Sequence, residues 1–92
     1  MKETYIELCN GGLASKHLHD DVRNKVHEVT SRLDPHKIYK LKDLYGKKSW
    51  GKLSVAERCV AENCMVDFAL NQEVSLNYIG TSHNNFALYQ LA

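Results

Sequence analysis

The sequence predicts an α+β fold with about three helices, a C-terminal β-hairpin and an N-terminal strand. Three observations carry this prediction. Apolar residues recur at helical spacing from Leu18 to Leu33. Ser54-Val55-Ala56-Glu57 is a capping box that opens a second long helix. Near the C-terminus, two runs of alternating apolar and polar residues flank a polar turn.

Thr4-Tyr5-Ile6-Glu7-Leu8-Cys9 is β-prone and is closed by Asn10-Gly11-Gly12, residues that tolerate positive φ. It predicts a strand at the edge of a small sheet. From Ser15 to Leu33 the apolar positions are Leu18, Val22, Val26, Val29 and Leu33, at steps of four, four, three and four. That is one stripe along a helix. Ser15 suits its N-cap, and Asp20 and Asp21 lie towards the positive end of its dipole. Asp34-Pro35 stops it, because the residue before proline avoids αR geometry.

Ile38-Tyr39-Lys40-Leu41 predicts a short strand, and Lys42-Asp43-Leu44-Tyr45 a brief helix broken at Gly46. Lys47 to Lys52 continues as a further turn or an irregular connector. Leu44, Tyr45, Trp50 and Leu53 are its core anchors. The capped helix then runs from Ser54 to about Asn71. Val74–Ile79 and Phe86–Leu91 are the hairpin strands, and Gly80–Asn85 is the turn between them.

On a helical wheel the capped helix is apolar on two sides. Val55, Cys59, Val66 and Leu70 share one sector, and Val60, Ala61, Cys64, Met65 and Phe68 share another. Arg58 with Glu62, and Asn63 with Asp67, form the polar edges between them. Such a helix is expected to pack on both sides: against the Leu18–Leu33 helix, and against the hairpin or the Trp50 segment.

At 92 residues, 43% apolar and 25% charged, the chain reads as one domain spanning residues 1–92 with a modest core. Met1 to Leu8 lacks the pattern of a signal peptide, and no run approaches the roughly 18 apolar residues of a membrane span. A cytoplasmic location is expected. Three cysteines, an odd number without a secretory signal, argue for reduced thiols. Cys59 and Cys64 read as small core residues.

No phosphate loop, nucleophile elbow or metal-ligand spacing is present. His17 and His19 are two apart and point to different faces of a helix. His17 with Asp20 or Asp21 reads as a surface pair. No catalytic residue, metal or cofactor is expected, and the chain reads as a binding module rather than an enzyme.

The order of helix, short strand, short basic helix, long helix and hairpin is that of a winged helix-turn-helix. In that layout the long helix enters the major groove. Here it carries Glu57, Arg58, Glu62 and Asp67, with Glu73 just beyond. Its acidic groups are repelled by phosphates. The expected contact surface therefore moves to the segments on either side. His36, Lys37, Lys40, Lys42, Lys47, Lys48 and Lys52 cluster before it, opposed only by Asp43, with Tyr39, Tyr45 and Trp50 interleaved. Lysine contacts phosphate as a mobile point charge. The competing reading is a solvated face whose aromatics go to the core. Thr81, Ser82, His83, Asn84 and Asn85 offer uncharged hydrogen-bonding groups at the wing tip, or serve only as turn chemistry. With Arg58, these lysines and tip residues are the candidate contacts.

Tyr39–Leu91 also resembles winged helix domains in element order. It looks more specifically like a set of short bacterial and phage-encoded proteins of unknown function. The resemblance rests on the Lys40–Leu44 start, Trp50, the Ser54 to Arg58 helix opening and the polar-tipped hairpin ending in Tyr89-Gln90-Leu91. It covers a little over half the chain and implies regulation through DNA binding.

Two functions follow. The first is a nucleic-acid-associated regulatory protein that touches the phosphate backbone through the Lys37–Lys52 segment and the wing. The second is a small phage or mobile-element inhibitor or adaptor, such as an anti-defence protein, that binds a host nucleic-acid-handling complex. It would use the lysines, or present Glu62 and Asp67 as a phosphate mimic. A homodimer through the Leu18–Leu33 helix or the N-terminal strand is compatible with either. No membrane partner is expected.

Overall fold

A computed structural model describes residues 4–8 and 11–92. Among them the chain forms a small α+β arrangement of four helices and two antiparallel two-stranded sheets. In chain order these are β1 (Tyr5–Glu7), β2 (Leu13–Ser15), α1 (Lys16–Thr30), α2 (Leu41–Tyr45), α3 (Lys47–Gly51), α4 (Val55–Leu70), β3 (Leu76–Thr81) and β4 (Ala87–Leu91). Among the described residues no helix is long and apolar enough to cross a membrane.

The N-terminal strand does not join the C-terminal hairpin. It pairs with β2, with Tyr5 opposite Ser15 and Glu7 opposite Leu13. Cys9 and Asn10, read as its end and turn, lie outside the described residues. Ser15 closes β2 and also caps α1, its Oγ accepting the Leu18 N–H at 3.2 Å. The helix stops at Thr30 rather than Leu33. The Thr30 hydroxyl bonds back to the Val26 carbonyl at 2.7 Å, and the chain tightens into turns at Arg32 and Leu33. Such side-chain bonds compete with a continuing helical ladder.

Ile38–Leu41 is not a strand. Tyr39 alone pairs across to Tyr89, by two backbone bonds of 2.7 and 2.8 Å. Leu41 already belongs to α2, because the Asp43 carboxylate accepts the Lys40 N–H at 3.1 Å and starts the helix there. The connector after Gly46 is itself the short helix α3. At α4 the capping box closes both ways: Ser54 Oγ takes the Glu57 N–H, and Glu57 Oε1 takes the Ser54 N–H.

The hairpin starts later and runs further than its alternation implies. Tyr78 faces Tyr89, but Gly80 faces Leu88, so Ile79 is an extra residue in a bulge. Gly80 takes φ 139°, where a side chain would be strained. It shapes the bulge instead of opening the turn, which spans Ser82–Phe86 with Asn85 at φ 65°.

The core gathers Val22 and Val26 of α1, Leu41 and Leu44 of α2, Ala61, Cys64, Met65 and Phe68 of α4, and Leu76 and Tyr89 of the hairpin. All are essentially sealed from solvent. Each large side chain among them contributes roughly 1.5–3 kcal/mol of burial. Trp50, 7% exposed, is a core anchor and stacks edge-on against Tyr45 at 5.8 Å.

Candidate functional site

One face of α4 is fully packed. Ala61, Cys64, Met65 and Phe68 are buried against α1 and the hairpin. The opposite sector is largely open: Val55 is 74% exposed, Leu70 is 63% exposed and Cys59 is open to solvent, while Val66 is partly buried against the core. This corrects both the two-sided packing and the buried Cys59 expected from the wheel. The elements that touch α4 lie along its Ala61, Cys64, Met65 and Phe68 face, and among the described residues nothing covers Val55, Cys59 or Leu70.

The hairpin leans beside that face without closing on it. A cleft of about 830 Å³ runs between them. Val55, Cys59 and Val66 of α4 form one apolar wall, and Tyr78, Phe86 and Ala87 of the hairpin form the other. Phe86 is 46% exposed. Lys40 and Lys42, at the start of α2, and Arg58 of α4 bring three cations to the same cleft. Glu62 and Asn63 stand on the α4 wall, and Thr81 and Asn85 enter from the hairpin.

Of the residues read as contacts, Lys40, Lys42, Arg58, Thr81 and Asn85 therefore share one site. Lys37, Lys47, Lys48, Lys52, His83 and Asn84 are exposed but lie outside it. Ser82 is occupied within its turn, its Oγ accepting the Phe86 N–H at 3.2 Å. Asp67, read as a polar edge, is only 9% exposed and is not available as a phosphate mimic.

Two of the cations, Lys40 and Arg58, are positioned by contacts. Lys40 Nζ lies 5.0 Å from the Phe86 ring centroid. The Arg58 guanidinium sits 5.9 Å from the Trp50 ring centroid, and its Nε donates to the Trp50 carbonyl at 3.2 Å. Burial in the cleft wall pushes the Glu62 carboxyl up to about 7. Behind it, burial raises the Tyr89 phenol, and the charges of Glu62 and Tyr78 add to the effect. The Tyr89 hydroxyl is buried without a hydrogen-bond partner among the described residues.

Several titratable groups outside the cleft hold the fold together. The Tyr45 hydroxyl donates to the Asp21 carboxylate, joining α2 to α1. Asp20 pairs with Lys16 and Arg23 and touches His19, while His17 stays at the surface outside that group. His19 packs edge-on against Phe68, with ring centroids 4.6 Å apart. Burial pushes the Cys64 thiol up to about 11, which keeps it protonated and unreactive. No group of three or more metal-type side chains assembles among the described residues. The α1 stripe read as a dimer surface is spent on the core at Leu18, Val22 and Val26.

The cleft walls were the part missed from the sequence. Their signal was the second apolar sector of α4, at Val55, Cys59 and Val66.

A family profile described as a domain of unknown function (DUF1413) matches residues 24–90. The match holds every residue that lines the cleft. Comparison with curated proteins returns no match, and neither does comparison with solved structures.

Proposed function

The chain belongs to the DUF1413 family, and we propose that it is a non-enzymatic, winged-helix-like module that associates with nucleic acid in a regulatory role. The observation that carries this reading is the convergence of Lys40, Lys42 and Arg58 on the cleft between α4 and the hairpin. Phosphates supply the charge those cations complement. The winged-helix reading is supported by the element order and by the Tyr39–Tyr89 bridge. That bridge sets the segment between α1 and α2 beside the hairpin, as a wing requires.

A salt-titrated binding assay tests the proposal. Binding is expected to weaken with salt, with a log–log slope near −0.7 to −0.9 for each phosphate contact. Lys40→Glu combined with Lys42→Glu is expected to flatten that slope. Binding that ignores both salt and the double reversal would overturn the proposal.

A second reading, an adaptor or inhibitor that binds a nucleic-acid-handling protein, is favoured by the exposed Val55 and Leu70. Exposed apolar side chains on one helix suit a protein partner. A stable complex with one protein and no affinity for free nucleic acid would select it.

A further inference from the structure

We propose that the cleft between α4 and the C-terminal hairpin takes an unstacked base of a single-stranded nucleic acid, with the neighbouring phosphates on Lys40, Lys42 and Arg58. This rests on the function proposed above and names the form of nucleic acid. Four features point to it.

The cleft volume, about 830 Å³, lies within the roughly 300–1,000 Å³ of small-molecule sites. A flat duplex backbone contact needs no such recess, whereas a base turned out of its stack does.

Its walls suit a base face. Val55, Cys59 and Val66 line the same open cleft as the half-exposed Phe86. Stacking on an aromatic ring is the general device for holding single strands, and it tolerates any base.

Charge and aromatic surface are coupled. Lys40 Nζ lies 5.0 Å from the Phe86 ring centroid, so a phosphate drawn to Lys40 brings its nucleotide within reach of the ring's exposed surface. Lys42 and Arg58 extend the cationic track along the same cleft.

The α4 face is also poorly made for reading a duplex. Its apolar outward residues Val55, Cys59 and Val66 offer no strong donor to a base edge. Asn63 is the one amide there. Glu62, by contrast, can accept from an exocyclic amine of an extruded base.

The test is fluorescence anisotropy with one sequence of about 12 nucleotides, a length within the site sizes of single-strand binders. It is presented as single-stranded DNA, single-stranded RNA and duplex DNA. The wild-type chain is expected to prefer either single strand, and the two single-stranded arms show which sugar is accepted. Phe86→Ala is expected to weaken single-strand binding roughly 10-fold with the salt slope unchanged. Val55→Glu, at a position 74% exposed, is expected to weaken it without disturbing the fold. Cys59 alkylation, mapped by peptide mass, is expected to slow when the strand is bound. Duplex binding as tight as single-strand binding, with both variants silent, overturns this inference and leaves the proposed function standing. No binding to any of the three overturns the proposed function itself.

Discussion

The Arg58 guanidinium covers the Trp50 indole at 5.9 Å and donates from Nε to the Trp50 carbonyl at 3.2 Å. One side chain thus ties α4 to α3 while its charge still faces the cleft. Arg58→Lys keeps the charge but loses the planar stack and the fixed donor. It is expected to cost about 0.5–1 kcal/mol in urea denaturation, and to leave the salt slope of nucleic-acid binding unchanged. An unaltered midpoint would mean that the contact contributes nothing to stability.

Tyr45 and Asp21 join α2 to α1 through a hydroxyl–carboxylate bond. Burial, and then that bond, raise the Tyr45 phenol above its ordinary range. Tyr45→Phe removes the donor and leaves the Asp21 carboxylate short of one partner. A loss of about 1.5–3 kcal/mol is expected, as for hydrogen bonds to charged groups. Equal stability of the two proteins would remove this bond from the account.

Ser54 caps α4 from an exposed position, so its replacement reports on the cap alone. Ser54→Ala is expected to cost about 1 kcal/mol and lower the thermal midpoint. Ser54→Asp keeps an acceptor and is expected to restore most of it.

Glu62 gives the molecule a pH dependence near neutrality. Its carboxyl is pushed from 4.5 to about 7 by burial. The groups sharing its surroundings are Arg58 and Cys59 on α4, Lys40 and Lys42 from α2 and its cap, and Tyr78 and Tyr89 on the hairpin. The folded state holds this proton more tightly than the unfolded state. Its stabilising effect is therefore complete below about 4.5 and is lost as pH rises through about 7. Glu62→Gln is expected to flatten denaturation midpoints between those values and to stabilise the protein above pH 7. Anion binding is expected to weaken over the same rise as the Glu62 charge appears, and the Gln variant is expected not to show this. A wild-type stability that climbs with pH across this window would contradict the assignment.

Local chemistry was readable from residues alone. Ser15 and the Ser54–Glu57 box cap helices through bonds spanning three residues, and their side chains name those bonds. The buried face of α4 followed from the spacing of Ala61, Cys64, Met65 and Phe68. Gly80 was misplaced because glycine marks turns and bulges alike, and only the partner strand shows which it serves. The Tyr39–Tyr89 bridge joins residues far apart in the chain, and no local pattern announces it. The cleft has the same character. A wheel shows that Val55 and Cys59 are apolar neighbours, but not whether anything remains to cover them.

The central claim is that the cleft between α4 and the hairpin is the contact surface. Titrating isotope-labelled protein with the single strand, followed by amide chemical shifts, tests it most directly. The account predicts that Val55, Cys59, Glu62, Val66, Phe86 and Ala87 shift together, with Lys47 and Lys48 little affected. Shifts confined to Lys47, Lys48 and His83 while the cleft residues stay still would contradict it.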